Sequence, residues 1–225
     1  MKIKLKNRYT EIGQITTFVF ENLEKVIWEA GQYLNVVMQD VSPVEADRLF
    51  TIASAPHESD IMITTIIGSS PYKKRLDALK IGDIVEADQL GGDFVWNEDG
   101  KDKLFIAGGI GSTPYRSIVL DNIYKKRNNN AVLLYAGGKG RRPFLDEFLQ
   151  SEHVDKTFNV YHYEKTRLSV KRIIEDVPDY KMMTVYIAGS QLFSETIGRG
   201  LSDLGLPRES LKYDWFDGYD SLEYN

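Results

Sequence analysis

Lys103-Leu-Phe-Ile-Ala-Gly-Gly-Ile-Gly-Ser-Thr-Pro114 is the stretch whose reading decides the fold. Leu104–Ala107 is short and apolar and reads as a buried strand. It empties into Gly108, Gly109 and Gly111, after which Ser112, Thr113 and Pro114 open a helix. Glycine carries no Cβ, so its backbone N–H groups can come close to a ligand. Thr113 suits an N-cap, and Pro114 suits the first helical position, where a missing N–H costs nothing. Tyr115, Ile118, Val119 and Ile123 follow at helical spacing, and Lys125, Lys126 and Arg127 close the helix with the charge its dipole favours. A strand, a glycine turn and a helix N-terminus make a cradle for a phosphate or pyrophosphate. The same pattern also serves as a plain strand-to-helix turn, so its surroundings must decide.

Downstream, strand candidates Val132–Ala136, Phe158–Tyr163 and Thr184–Ala188 alternate with helical segments. Those segments are Pro114–Arg127, Arg142–Gln150, Ser169–Asp176 and Leu192–Leu204. Alternation of this kind predicts a parallel sheet wound with helices. Upstream the rhythm differs. Ile15–Phe20, Tyr33–Met38, Arg48–Ala53, Ile61–Ile67 and Ile84–Ala87 read as short strands separated by turn residues, with one brief helix over Pro71–Leu79. That pattern predicts a small β-barrel. The expected organisation is a Greek-key β-barrel over residues 1–98 and an α/β parallel-sheet nucleotide-binding unit over 103–225, with Asn97–Lys103 as linker.

Bulk properties narrow the function. The 225 residues are 42% hydrophobic and 27% charged, ordinary for a globular enzyme. A net charge of −5, with no basic stripe interleaved with aromatics, argues against a nucleic-acid partner. Cysteine is absent, which excludes disulfides, thiolate-ligated iron–sulfur clusters and a cysteine nucleophile. His57, His153 and His162 are scattered, so no metal site is expected. No apolar run approaches the ~18 residues of a transmembrane segment. No signal-peptide core follows the basic start Met1–Arg8, and the expected location is cytoplasmic.

Arg48-Leu49-Phe50-Thr51-Ile52-Ala53-Ser54 adds chemistry to the barrel. On a strand, Arg48, Phe50 and Ile52 share one face and Thr51 takes the other. An arginine can fork onto phosphate oxygens, an aromatic can pack on a planar ring, and a hydroxyl can bond a ring nitrogen. Read alone, the segment is a plain barrel strand with a surface arginine.

Together these motifs resemble the ferredoxin–NADP⁺ reductase-like flavoenzymes, a flavin-binding barrel followed by a pyridine-nucleotide domain. Trp28–Tyr33, Arg48–Thr51, Gly68–Leu79, Gly91–Phe94, Gly108–Pro114, Ala188–Ser190 and Asp214–Tyr219 carry the resemblance in the expected order, over almost the whole chain. It implies FAD held by Arg48, Phe50, Thr51, Ile52 and Ser54, by Ile63 and Thr65, and by Gly68, Ser70, Tyr72 and Lys73. It implies NADP, or NAD, on Gly108, Gly109, Gly111, Ser112, Thr113 and Pro114, with Gly137, Arg141, Arg142, Gly189, Ser190 and Tyr219. Phe50, Thr51 and Asp214 take the places beside the reacting rings. Implied partners are NAD(P)H and an electron acceptor, for instance a small redox protein of the ferredoxin or flavodoxin type. A flavin-binding subunit of a larger complex and a reductase of free flavin are the alternatives.

Three departures stand out. Phe50 replaces the family's Tyr, Ala188 its Cys and Ser190 its Pro. Ring apposition matters more to hydride transfer than a thiol does, because the cofactors carry the chemistry. After the second strand of the α/β unit comes Gly137-Gly138-Lys139-Gly140-Arg141-Arg142, with cations and no acid. That composition favours a 2′-phosphate, and so NADPH.

Overall fold

The computed structural model describes residues 1–43, 45–128, 130–138, 142–165 and 167–215. The first half is an antiparallel sheet of β1 (Lys2–Ile12), β2 (Ile15–Asn22), β3 (Tyr33–Val37), β4 (Asp47–Thr51), β5 (Ile61–Ile66) and β6 (Ile84–Gly91), in the order β4-β3-β6-β1-β2-β5. Among the described residues no ladder joins the end strands β4 and β5. Just past β4, however, the Ala53 N–H donates to Met62 O at 2.8 Å, so the sheet curls into a barrel without full closure. Strand β1 is not among the expected strands, although Ile3 and Leu5 alternate with lysines within the basic start Met1–Arg8. Both apolar residues are fully buried, the period-two signature of a half-buried strand. Helix α1 (Pro71–Asp77) plugs one end of the barrel with Tyr72 and Leu76.

The second half is a parallel sheet of β7 (Lys103–Gly108), β8 (Ala131–Ala136), β9 (Phe158–Tyr163), β10 (Thr184–Ala188) and β11 (Leu211–Asp214), in the order β11-β10-β7-β8-β9. Helices α2 (Thr113–Tyr124), α3 (Leu145–Val154), α4 (Val170–Asp176) and α5 (Gln191–Asp203) connect the strands. Strands β7 and β10 are buried on both faces, as central parallel strands are. Among the described residues no helix is long and apolar enough to cross a membrane.

Several boundaries differ from expectation for physical reasons. A 3₁₀ turn over Gly109–Ser112 leads directly into α2, so Ser112 is its N-cap and Thr113 its first residue. Thr113 therefore does not cap; its hydroxyl donates to Ile110 O at 3.1 Å. Helix α3 begins at Leu145, not Arg142. The Tyr135 hydroxyl donates to Pro143 O at 2.8 Å, and Phe144 is left-handed at φ 64°, so the chain cannot be helical there. Strand β11 ends at Asp214, ahead of most of the expected Asp214–Tyr219 strand, whose residues from 216 onward lie outside the described ones.

Asn97–Lys103 is pinned rather than loose. Asn97 N–H donates to the Tyr186 hydroxyl at 3.0 Å, and Asp99 receives Lys103 Nζ and Thr184 Oγ1, both at 2.5 Å. The firmest tie between the halves is Arg116 on α2. Its guanidinium donates to both carboxylate oxygens of Glu58, at 2.8 and 3.0 Å, and to Ala53 O at 2.9 Å. Its Nε lies 2.9 Å from Glu147 on α3. Arg116 is 6% exposed, whereas the Glu58 and Glu147 side chains keep 29% and 39% of their surface, so water screens part of the charge its removal would leave. Arg116→Ala is expected to lower unfolding stability by about 1–2 kcal/mol in a urea titration. Lys171→Ala, which breaks only an exposed pair, is expected to change it little.

Candidate functional site

The two halves enclose a cavity of about 520 Å³. Its floor is the C-terminal edge of the parallel sheet: Gly108 ends β7, Gly137 and Gly138 follow β8, Gly189 and Ser190 follow β10, and Asp214 ends β11. The chain winds from β7 outward to β9 and then returns to β10 on the other side of β7. Such a reversal leaves a crevice beyond the strand ends, where open α/β sheets bind ligands. The opposite wall is barrel: Leu49, Phe50 and Thr51 of β4, Thr64 and Ile66 of β5, and Ile15 of β2.

Gly111 makes this floor possible. A Cβ there would stand 2.3 Å from Ala188 O, so the loop after β7 can lie against the end of β10 only with glycine. Phe193 of α5 lies across the floor, and a Cβ on Gly108 would meet its ring at 3.0 Å. Thr113 reaches the cavity from the first turn of α2.

Where barrel and sheet meet, Thr51 Oγ1 donates to Asp214 Oδ2 at 2.8 Å. Burial pushes the Asp214 pKa up to about 6; the Thr51 bond opposes that shift and the Asp93 charge adds to it. The result is a carboxyl in the cavity wall that exchanges its proton near neutral pH.

Other expected residues are not among those lining the cavity. Lys73 Nζ sits 5.1 Å from the centre of the Phe50 ring and donates to Thr65 Oγ1. The Arg48 guanidinium is 5.4 Å from the Tyr72 ring centre and donates to Asp47 O. Ser70 caps α1 through Lys73 N–H, and Gly68 lies between β5 and that cap. Ile52 and Ile63 are fully buried in the barrel core. Ser54 Oγ accepts from Met62 N–H and its carbonyl accepts from Ser117 and Trp28. Ser112 is buried beneath the glycine loop, bonded to Tyr135, and Pro114 is buried in α2. His57 stacks on Tyr124, ring centres 4.1 Å apart, and is not among the cavity-lining residues. Arg141 and Tyr219 lie outside the described residues.

The sequence reading missed Leu49, Ile15, Thr64, Ile66, Ile110, Gly138, Phe193 and Trp215 as cavity lining. It also missed an acid. Glu164, just past β9, binds Arg142 Nη2 at 3.0 Å, and His162 Nδ1 lies 3.3 Å from Arg142 Nη1. The parallel register, Ala136 opposite Tyr163, brings this acid beside Arg142.

No family model matches the chain. It is 22% identical over 239 aligned residues to a flavohemoprotein of Pseudomonas aeruginosa, covering 99% of this chain and 60% of that one. A flavohem-like FAD/NAD-binding domain of nitric oxide dioxygenase from Vibrio cholerae superposes with a TM-score of 0.81 at 18% identity, over 96% of this chain and 98% of that one. Ferredoxin–NADP⁺ reductase from Plasmodium falciparum superposes with a TM-score of 0.77 at 13% identity, over 96% and 95%. The chain has the ferredoxin–NADP⁺ reductase fold. The first curated relatives are longer: the chain spans 58–60% of the length of the bacterial flavohemoproteins it matches. In this reductase fold the cavity is the space between the barrel and the nucleotide-type sheet.

Asp214 gives the fold a testable pH signature. Between its ordinary pKa of 3.8 and its folded value of about 6, the folded state keeps a proton that the unfolded chain has lost. Stability conferred by this group is complete below that window and falls as pH rises through it. Asp214→Asn is expected to remove about 2 kcal/mol of this pH dependence, read from denaturation midpoints at pH 4 and pH 7.

Proposed function

We propose that the chain is a flavin-dependent NAD(P)H oxidoreductase, passing hydride from a nicotinamide nucleotide to FAD and electrons onward to an acceptor, a ferredoxin- or flavodoxin-type protein or another carrier. One observation carries the reading: a single cavity has a barrel strand on one side and the glycine-edged ends of a parallel sheet on the other. Its size suits part of a flattened ring system, and ligand pockets run to roughly 300–1,000 Å³. The glycine loop Gly108–Gly111 lines the cavity just ahead of α2, which supports a backbone cradle for an anionic group. In this reading residues 1–98 form the flavin-binding unit and 103–225 the nucleotide-binding unit.

The residues divide the labour. Leu49 and Phe50 supply apolar surface for a planar ring, and the partly exposed Arg48 next to them in β4 supplies charge for its pyrophosphate, whereas Lys73 is fully buried against Thr65 and does not reach it. The glycine loop and Thr113 hold the second nucleotide, and Gly189 and Ser190 flank its reactive end. Thr51 positions the Asp214 carboxyl, which accepts or returns a proton at the cavity near neutral pH. FAD, when bound, supplies the conversion between a two-electron donor and a one-electron acceptor. Ala188 is fully buried in β10, so the missing cysteine takes no polar contact from the cavity lining. A nicotinamide nucleotide is multiply charged and does not cross an apolar barrier unaided, which supports a cytoplasmic location.

Coenzyme choice turns on Arg142. Its partner Glu164 opposes a 2′-phosphate by like charge and by occupying the guanidinium. FAD-loaded protein is expected to turn over ferricyanide with NADH or NADPH. Glu164→Gln is expected to raise the NADPH-to-NADH ratio of kcat/KM by roughly tenfold, the effect of about 1.4 kcal/mol. No turnover with either nucleotide would refute the proposed activity; an unchanged ratio would refute the role of Glu164.

A further inference from the structure

A hydrogen-bonded chain runs from the cavity to the outer side of the barrel, and the chemistry proposed above does not use it. Thr64 lines the cavity. Its Oγ1 lies 2.7 Å from Thr17 Oγ1, its direct cross-strand partner between β2 and β5. Thr17 Oγ1 lies in turn 2.8 Å from Glu11 Oε1. Thr17 is fully buried, so bulk water cannot stand in as a partner for its hydroxyl, and Thr64 is 4% exposed. Glu11 is half-buried.

Glu11 reaches Thr17 because the strand is irregular there. Thr10 pairs with Thr16 and Ile12 with Ile15, and the register shifts between them, at Glu11. A bulge of this kind re-aims a side chain. Arg116 of α2, Glu147 of α3, Tyr9 of β1 and Tyr135 of β8 all act on Glu11 electrostatically. Burial pushes its pKa up and Glu147 adds to that, while the Thr17 bond and Arg116 pull the other way.

A hydroxyl carries one proton, so a chain of them has a direction. Ionised Glu11 can only accept. Thr17 then donates to Glu11, Thr64 donates to Thr17, and Thr64 offers the cavity a lone pair. Neutral Glu11 can donate. Thr17 then donates to Thr64, and Thr64 turns its O–H into the cavity. The one bond formed is the Glu11 O–H, with a proton taken from solvent; the two threonine hydroxyls only reverse their orientation.

We propose that Glu11, Thr17 and Thr64 form a relay in which the proton on Glu11 sets whether Thr64 donates to, or accepts from, the ligand in the cavity. The inference rests on the flavin reading of that cavity. The polar edge of an oxidised flavin carries more acceptors than donors, so FAD selects the donating state. FAD binding and protonation of Glu11 then strengthen each other, as linkage requires.

Titration calorimetry of FAD into the full chain, in buffers of different ionisation enthalpy from pH 5 to pH 8, tests this. Wild type is expected to take up protons on binding. Its affinity is expected to fall with rising pH by roughly tenfold more than that of Thr17→Val, which keeps Glu11 and Asp214 but cuts the relay. Thr17→Ser restores the hydroxyl and is expected to restore the wild-type linkage, which a purely structural role for Thr17 would not require. Glu11→Gln, a second route should the valine variant fail to fold, is expected to match Thr17→Val. Equal proton uptake in all four proteins overturns the relay while leaving the flavin reading intact. No heat and no bound yellow colour at any pH overturns both.

Discussion

Two halves that are to share a cavity must be held at a fixed spacing, and a buried guanidinium does much of that work. Arg116 leaves α2, which belongs to the parallel sheet, and forks onto Glu58, which belongs to the barrel. It also donates to Ala53 O, and its Nε pairs with the Glu147 carboxylate at 2.9 Å. A planar fork with little freedom fixes orientation as well as distance, which a lysine could not do. Asp99 performs the same service for the connecting segment, holding it to Lys103 and Thr184. With both ties in place, Thr51 of the barrel and Asp214 of the sheet stand within hydrogen-bond range, though 163 residues apart in sequence.

The cavity depends next on what is missing from its floor. Gly111 lies against the end of β10 because it has no side chain, and the exposed strand ends leave backbone groups facing the space. Barrel residues supply the other side, mostly apolar, with polar atoms at Thr51 and Thr64, and Asp214 of the sheet meets Thr51 there. Those groups share a property: each can change its proton arrangement. Thr51 answers to Asp214, and Thr64 answers through Thr17 to Glu11. A two-electron donor and a one-electron acceptor differ in proton demand, and a site with two adjustable hydroxyls suits an exchange between them.

Much of the fold was legible in the sequence because its signals are local. The strand before Gly108 and the alternation that follows are periodic patterns, and β9 and β10 fall where those patterns predict. What was not legible depended on partners far along the chain. Helix α3 starts late because Tyr135, eight residues earlier than Pro143, holds that residue's carbonyl. Strand β1 was overlooked because lysines on its open face mask two fully buried apolar residues. At the site, glycines and the Arg48–Thr51 segment announced themselves by type. Phe193, Thr64 and Glu164 did not, since a helix aromatic, a strand threonine and a loop acid are common anywhere. Only the sheet order brings each to the cavity or to its rim.

The central claim is that a flavin in the barrel wall and a nicotinamide on the sheet edge meet in one cavity. Anaerobic stopped-flow mixing of FAD-loaded protein with one equivalent of NADH or NADPH tests it most directly. The account predicts loss of the oxidised-flavin absorbance band within the mixing experiment, with one nucleotide oxidised per flavin. Flavin that binds stoichiometrically but keeps its absorbance after mixing with either nucleotide would contradict it.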